Sequence, residues 1–311
     1  MQNLVFKNNL PCTASSEVIF SIIIVGYKDE QIVLDCINSI NTYNDIGKGV
    51  EIILVDNSPE HNVFYAAQKQ FPDVECIKNI NNGFGAGNNL GASQARGKYL
   101  LFLNPDTILV EPIFEYAIER FNRNSNLSMF GVKMVNLRLE RNASFYLIES
   151  GGLLRSIIAK LSNKWDLYLN GSMYIAGSNM FLRAVDFNSC GRFDEKIFMY
   201  YEEPDLTLRL INMGKSTAYF KEKKIIHLEG GTTKDNNVAL RRRLDSAIYF
   251  NRKYSKDPRI QLTRELRLCN LKRMVFRLTR YGDIRQLNST AEVLTEFVGR
   301  LNDSNLKTDS R

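Results

Sequence analysis

The first hundred residues alternate apolar runs with amphipathic ones, and this alternation restricts the fold more than any other feature of the chain. "VIFSIIIVGY" (Val18 to Tyr27) is an almost unbroken β-branched run, as expected of a strand covered on both faces of its sheet. In "EQIVLDCINSI", Ile32, Leu34, Cys36, Ile37 and Ile40 fall roughly on one helical stripe. A strand in "VEIILVDNS", a helix in "HNVFYAAQKQF", a strand in "DVECIKN", a small-residue helix in "GAGNNLGASQA" and a strand in "KYLLFL" follow. Strands separated by helices join through right-handed crossovers. The expected fold is therefore α/β, with a parallel-dominated mixed sheet flanked by helices.

After Glu111 the pattern loosens. "PIFEYAIERFN" predicts a helix, and "SMFGVKMVN" and "MYIAGSNMFLRA" a strand each. "EEPDLTLRLINMG" predicts a helix stopped at Gly214, and "KIIHLEGG" a strand leading into a turn at Gly230 and Gly231. Residues 138–172 are polar with isolated aromatics, among them the only tryptophan, Trp165. They read as a pair of strands with a loop and carry no legible chemistry. From Val238 onward the chain reads as helical, which sets an expected division into residues 1–237 and a helical extension, 238–311.

The basicity sits in that extension. The whole chain carries +7, yet Arg241 to Arg285 alone hold 14 Lys/Arg against 4 Asp/Glu, so the remainder is slightly acidic. One basic segment on a near-neutral body argues against a general nucleic-acid surface. Within 262–281, Leu266, Leu271, Met274, Val275 and Leu278 form an apolar stripe. Arg264, Arg267, Lys272, Arg273, Arg277 and Arg280 flank it. Such a helix suits an anionic membrane surface or packing on the body with its charges in water, and the stripe does not choose between them. Apolar runs such as Val18 to Val25 fall far short of the ~20 residues that span a bilayer. The N-terminus lacks a secretory layout. Five scattered cysteines without a C-x-x-C pair argue against a disulfide framework or zinc site and fit a reducing cytosol.

Four stretches end strands or open helices where α/β proteins hold ligands. In "FLNPDTIL" (102–109) the apolar run stops at Asn104-Pro105-Asp106, either as a simple turn or to stand Asp106 at the carboxyl edge of the sheet. In "VDNS", Asp56 and Asn57 form an Asx turn or accept from a pyrimidine imide or a ribose hydroxyl. "NINNGFGAGNNLG" is a plain glycine-rich turn or a phosphate cradle at a helix start. It fails G-x-G-x-x-G in both registers, with Asn88 or Leu90 at the third position, so an NAD-dependent oxidoreductase fits poorly. In "FDEKIFMYYEEPDLTLR", Glu202, Glu203 and Asp205 open a helix beside Tyr200 and Tyr201. They complement its dipole, or one of them is a general base facing a cavity. His227 closes a strand as a structural residue or a ligand.

Taken in order, "SIIIVGY", "ILVDNS", "NNGFGAGNNLGASQARGKYLLFLNPDT", "GSNMFLRA", "GRFDEKIFMYYEEPDLTLRL" and "IIHLEGG" resemble the family 2 inverting glycosyltransferases. The nearest resemblance is to the rhamnosyltransferase-like branch that builds bacterial surface polysaccharides such as lipopolysaccharide O-antigens, and it runs from about Ser21 to Thr233. It implies a GT-A fold. By resemblance, Asp56 contacts the nucleotide base, and the loop from Asn82 and Gly83 to Asn88 and Asn89 flanks nucleotide and sugar. Tyr27 stands in "GYK" where "TYN" is usual. Asn104 and Asp106 occupy the Asp-x-Asp position, with His227 as the second protein ligand of a divalent metal, Mg²⁺ or Mn²⁺. Glu203 falls at the catalytic base, with Glu202 or Asp205 as substitutes. The implied partners are a dTDP- or UDP-sugar donor and a glycan acceptor, polyprenyl-linked at the cytoplasmic face of the inner membrane, and no nucleic acid. A nucleotidyltransferase and a non-catalytic sugar-nucleotide-binding partner are the competing readings.

Overall fold

The computed structural model describes residues 17–149, 152–228, 236–279 and 283–306, so the Gly230–Gly231 turn and Arg280 lie outside the described residues. In chain order the elements begin β1 (Phe20–Gly26), α1 (Glu30–Thr42), β2 (Val50–Asp56), α2 (Asn62–Gln70), β3 (Glu75–Lys78), α3 (Phe84–Gln94) and β4 (Tyr99–Leu103). Then come β5 (Thr107–Leu109), α4 (Phe114–Arg123), β6 (Leu127–Val135), β7 (Phe145–Leu147), α5 (Leu153–Trp165), β8 (Met173–Ile175) and β9 (Asn179–Arg183). The last are α6 (Ala184–Ser189), α7 (Glu202–Asn212), β10 (Ser216–His227), α8 (Asn236–Lys253), α9 (Pro258–Thr279) and α10 (Ile284–Leu306).

Eight strands form one sheet in the order β3-β2-β1-β4-β9-β6-β10-β5. The β3-β2-β1-β4 half is parallel, as the alternation predicts, and β9 runs antiparallel between β4 and β6. Period-2 geometry sends Phe20, Ile22 and Ile24 of β1 to one face, against Val33 and Ile37 of α1 and Phe114 and Phe121 of α4. Ile23 goes to the other face, with Phe102, Phe187, Phe193 and Leu206. Helix α1 starts where Asp29 accepts from the Ile32 N–H, and Gly214 at φ +76° follows the end of α7.

Two stretches fold differently from the sequence expectation. "MYIAGSNMFLRA" is not one strand. It breaks at Ala176-Gly177-Ser178, with β8 pairing β7 in a separate ribbon and β9 entering the main sheet. Fully buried Asn179 fixes that entry, its Oδ1 accepting from the Val132 N–H at 2.7 Å. Among the described residues of 138–172 there is one strand, β7, and then helix α5, which carries none of the usual start signals. Its N-cap is Gly152 with no side-chain cap, and its first turn has no acid.

In the C-terminal helices the packed residues of α9 are Leu262 and Cys269, with Leu266 against them, while Leu271, Met274, Val275 and Leu278 stay 37–80% exposed. Part of the cationic charge is already matched, in Arg241–Glu296, Arg243–Glu265, Lys253–Asp194 and Lys256–Glu149. No helix among the described residues is long and apolar enough to cross a membrane.

Candidate active site

A cleft of about 850 Å³ opens at the carboxyl ends of β1, β2 and β4. The neighbours of β1 lead away there on opposite sides, the place where open α/β sheets hold ligands. Tyr27, Asn57, Asn104 and Asp106 line one side, and Glu202 and Glu203 also face it. Arg155 of α5 and Arg242 of α8 complete the wall.

Pro105 ends β4 and a tight turn follows, in which the Asn104 carbonyl accepts from the N–H and Oγ1 of Thr107 at 3.2 and 2.6 Å. The chain reverses into β5, which pairs antiparallel with β10 so that Thr107 faces His227. That register brings His227 Nε2 to 3.4 Å from Asp106 Oδ1 and to 3.3 Å from Ser178 Oγ. Asn104 Oδ1 is buried beside them with no hydrogen-bond partner. One carboxylate, one imidazole and an unused amide oxygen form a donor set suited to Mg²⁺ or Mn²⁺, the latter taking imidazole more readily. No group of three His, Cys, Asp or Glu residues is gathered among the described residues, so these side chains fit a cation that shares its coordination with a bound anion.

The two glutamates are aimed by an unusual approach. Tyr200 and Tyr201 both have left-handed backbones, at φ +65° and +73°, conformations that cost about 1–3 kcal/mol each. Tyr201 is held by Gln261, which donates to its hydroxyl, and by the Phe250 ring at 5.1 Å. The chain then enters α7 with Glu202 and Glu203 on the cleft. Glu202 is only 3% exposed and its Oε2 has no partner. Burial, and then the neighbouring Glu203, push its pKa well above the usual carboxylate range. Glu203 is also raised by burial, opposed by the Gly177 N–H, which donates to its Oε1 at 3.2 Å. A Cβ on Gly177 would lie 2.7 Å from that same oxygen. Gly177→Ala is therefore expected to displace the Glu203 carboxylate and, on the reading of Glu203 as the base that the family resemblance implies, to lower turnover by about 10- to 100-fold. Steady-state kinetics of the variant would measure this, and unaltered turnover would show that the position of Glu203 is immaterial.

Other sequence candidates are placed elsewhere. Asp205 does not reach the cleft, which corrects its reading as a substitute base. It is fully buried, paired with Arg209 at 2.8 Å and Lys253 at 2.6 Å, and accepts from the Tyr254 hydroxyl at 2.9 Å, tying α7 to α8. Asp56 is likewise fully buried, accepting from the Ser58 and Phe64 N–H groups at 2.7 and 2.8 Å, and its neighbour Asn57 lines the cleft instead. In the glycine-rich loop, Asn81 and Phe84 line the cleft rather than Asn82 and Asn88, the latter buried and donating to the Phe84 carbonyl. Gly83, at φ +113°, packs against the Phe198 backbone, where a Cβ would fall 2.3 Å from the carbonyl oxygen. Sequence reading missed Tyr146 and Tyr174 on β7 and β8, Arg155, and Arg242, whose guanidinium lies over the Phe198 ring at 4.7 Å. The first three lie in or beside the stretch whose pattern predicts strands and a loop, and Arg242 falls in the basic run that opens the C-terminal extension.

Among known proteins, the model of glycosyl transferase family 2 matches residues 21–187. The low-salt glycan biosynthesis hexosyltransferase Agl10 of Haloferax volcanii is 29% identical over 214 residues, covering 63% of this chain and 64% of its own. The rhamnosyltransferase WbbL of Escherichia coli is 26% identical over 223 residues, covering 66% of this chain and 82% of its own. The minor teichoic acid biosynthesis protein GgaB of Bacillus subtilis is 31% identical over 111 residues, and the match spans only 12% of that larger protein. Among solved structures, the mannosyltransferase PcManGT of Pyrobaculum calidifontis, in complex with GDP-Man and Mn²⁺, superposes with a TM-score of 0.54 at 10% identity. That match covers 97% of this chain and 79% of the other. GalNAc-T7 with UDP, GalNAc and Mn²⁺ gives 0.55 at 13% identity, covering 75% and 48%. These likenesses establish the GT-A fold.

Proposed function

Because the chain belongs to glycosyl transferase family 2, we propose that it moves a sugar from a nucleoside-diphosphate donor to a hydroxyl of a growing glycan, inverting the anomeric centre. One observation carries this reading: three segments far apart in sequence bring Asp106, His227 and Glu203 to one cleft or its rim. On this reading the donor diphosphate lies beside Asp106 and His227, and Asn57 and Tyr27 offer the nucleotide polar and aromatic contacts. A divalent cation held by Asp106 and His227 would neutralise charge on the leaving diphosphate.

Glu203, ionised, takes the proton of the acceptor hydroxyl. The hydroxyl oxygen attacks the anomeric carbon from the face opposite the leaving group, and the carbon–oxygen bond to the diphosphate breaks. Burial and the neighbouring Glu203 favour the protonated form of Glu202, which limits negative charge beside the base. Residues 1–237 would form the catalytic unit, with 238–311 an extension that contributes Arg242 to the cleft wall.

The names of the relatives, a glycan-biosynthesis hexosyltransferase and a rhamnosyltransferase, favour a hexosyl or rhamnosyl donor and a glycan acceptor. A dTDP or UDP carrier and a polyprenyl-linked surface glycan are our reading of the motif resemblance alone. The test is a panel of nucleotide sugars with Mn²⁺ or Mg²⁺ and lipid-linked saccharide acceptors, following nucleotide release and the product anomer by NMR. A nucleoside diphosphate with an inverted product is expected. Pyrophosphate release would identify a nucleotidyltransferase, and donor binding without turnover a non-catalytic partner.

A further inference from the structure

Helix α5 is turned inside out for a helix on a protein surface. Arg155, Ser156 and Ala159 face the cleft, and Asn163 donates to the Phe145 carbonyl at 2.9 Å, so the polar side is the packed side. On the other side, at 100° per residue, Leu153, Leu154, Ile157, Ile158, Leu161 and Trp165 share one stripe and are 39–70% exposed. Leu167 and Leu169, just past the helix, extend it at 54% and 57%. An apolar stripe of this size turned to water marks a contact surface.

Charge selects the partner. Lys160 and Lys164 are exposed along one edge of the stripe. Asp166 is drawn inward by Arg141 and Lys133, and Glu149 is paired with Arg155 and Lys256. The face is thus apolar and cationic, with an amphipathic indole at its end, a composition matched to the headgroup boundary of an anionic bilayer. A second copy is a poorer match, since a two-fold contact through this stripe would gather the lysines of both copies with no acid on the face to pair them.

We propose that the exposed face of α5 docks on an anionic membrane surface, with the inner face of the same helix forming part of the cleft wall. The inference deepens the reading of the chain as a transferase with a lipid-linked acceptor, because docking by α5 would set the cleft at the surface where such an acceptor is presented. Its test does not depend on turnover.

Trp165 is the only tryptophan and is 59% exposed, so it reports on this face in the unaltered protein. Vesicles of phosphatidylglycerol and phosphatidylcholine are expected to shift its emission to shorter wavelength, shield it from iodide and sediment the protein, with pure phosphatidylcholine much weaker. Leu154→Glu with Ile158→Glu, both outside the cleft lining, should weaken the partition coefficient about tenfold or more. Met274→Glu with Leu278→Glu, on the exposed part of α9, should change it little. The proposal is overturned if the protein stays unbound, or if it sediments with no change at Trp165. It is equally overturned if only the α9 variant loses binding, or if the emission shift follows protein concentration without vesicles, which would mean self-association. A failed transferase assay beside intact vesicle binding would remove the catalytic reading alone.

Discussion

Asp106→Asn is expected to lower sugar transfer by about a thousandfold or more while leaving the melting temperature unchanged. The magnitude follows from charge. Charge stabilisation of a diphosphate by a bound cation amounts to several kcal/mol, and about 4 kcal/mol corresponds to a factor of ~10³ in rate. An amide keeps the shape of the carboxylate and removes its charge, so only neutral donors, the His227 imidazole and amide oxygens, would be left to hold the cation against water. The fold has little stake in that carboxylate. Its protein neighbour is His227 at 3.4 Å, and the backbone contact, the Leu228 N–H donating to the Asp106 carbonyl at 2.9 Å, survives the change. Turnover measured against Mn²⁺ and Mg²⁺ concentration, with a thermal melt of the same sample, checks both halves. A variant that keeps full activity, or keeps the same dependence on the cation, removes Asp106 from this role.

What could be read beforehand divides by the range of the physics. The parallel half of the sheet was legible because each strand and helix there is announced locally, by continuous β-branched runs and by 3.6-residue stripes. The strand-ending Asn104-Pro105-Asp106 and the carboxylates opening α7 were legible for the same reason, since a ring and a charge in an apolar context need an explanation. Helix α5 carries such a stripe too, but with neither cap nor first-turn acid nothing marks its start, and the direction in which the stripe faces is not written in the pattern. Hydrophobic patterning assumes that apolar residues point inward, and here they do not. Similarly, three carboxylates within four positions look alike in sequence. Only the packing of α8 against α7 separates Asp205, neutralised by Lys253 and Arg209, from Glu202 and Glu203, which face the cleft. Asp56 is a further instance. A strand-terminal acid reads as a ligand contact or as an Asx turn, and the Ser58 and Phe64 N–H groups that occupy both of its oxygens become visible only once α2 is in place.

That separation sets up Glu203→Gln, for which a loss of about 10²- to 10⁴-fold in turnover with unaltered donor affinity is expected, the usual worth of general-base assistance. The wild-type pH profile should carry the same signature. The base works ionised, so activity climbs as pH rises through the Glu203 pKa. Because burial raises that pKa, the acid limb should lie above the ~4.3 of an unperturbed glutamate. Stability runs the opposite way. A carboxyl whose folded pKa exceeds its unfolded value binds its proton more tightly in the folded state, so stability is highest below the unfolded pKa and declines as pH rises towards the folded one. Replacing Glu203 with neutral Gln removes that penalty, and the melting temperature near neutral pH should hold or rise while turnover collapses. Asp205→Asn should do the reverse. Losing the charge that Lys253 and Arg209 share would cost roughly 1–3 kcal/mol of stability, with the surviving folded enzyme still active. Activity lost in Asp205→Asn at unchanged stability, or a fully active Glu203→Gln, would move the base to another carboxylate.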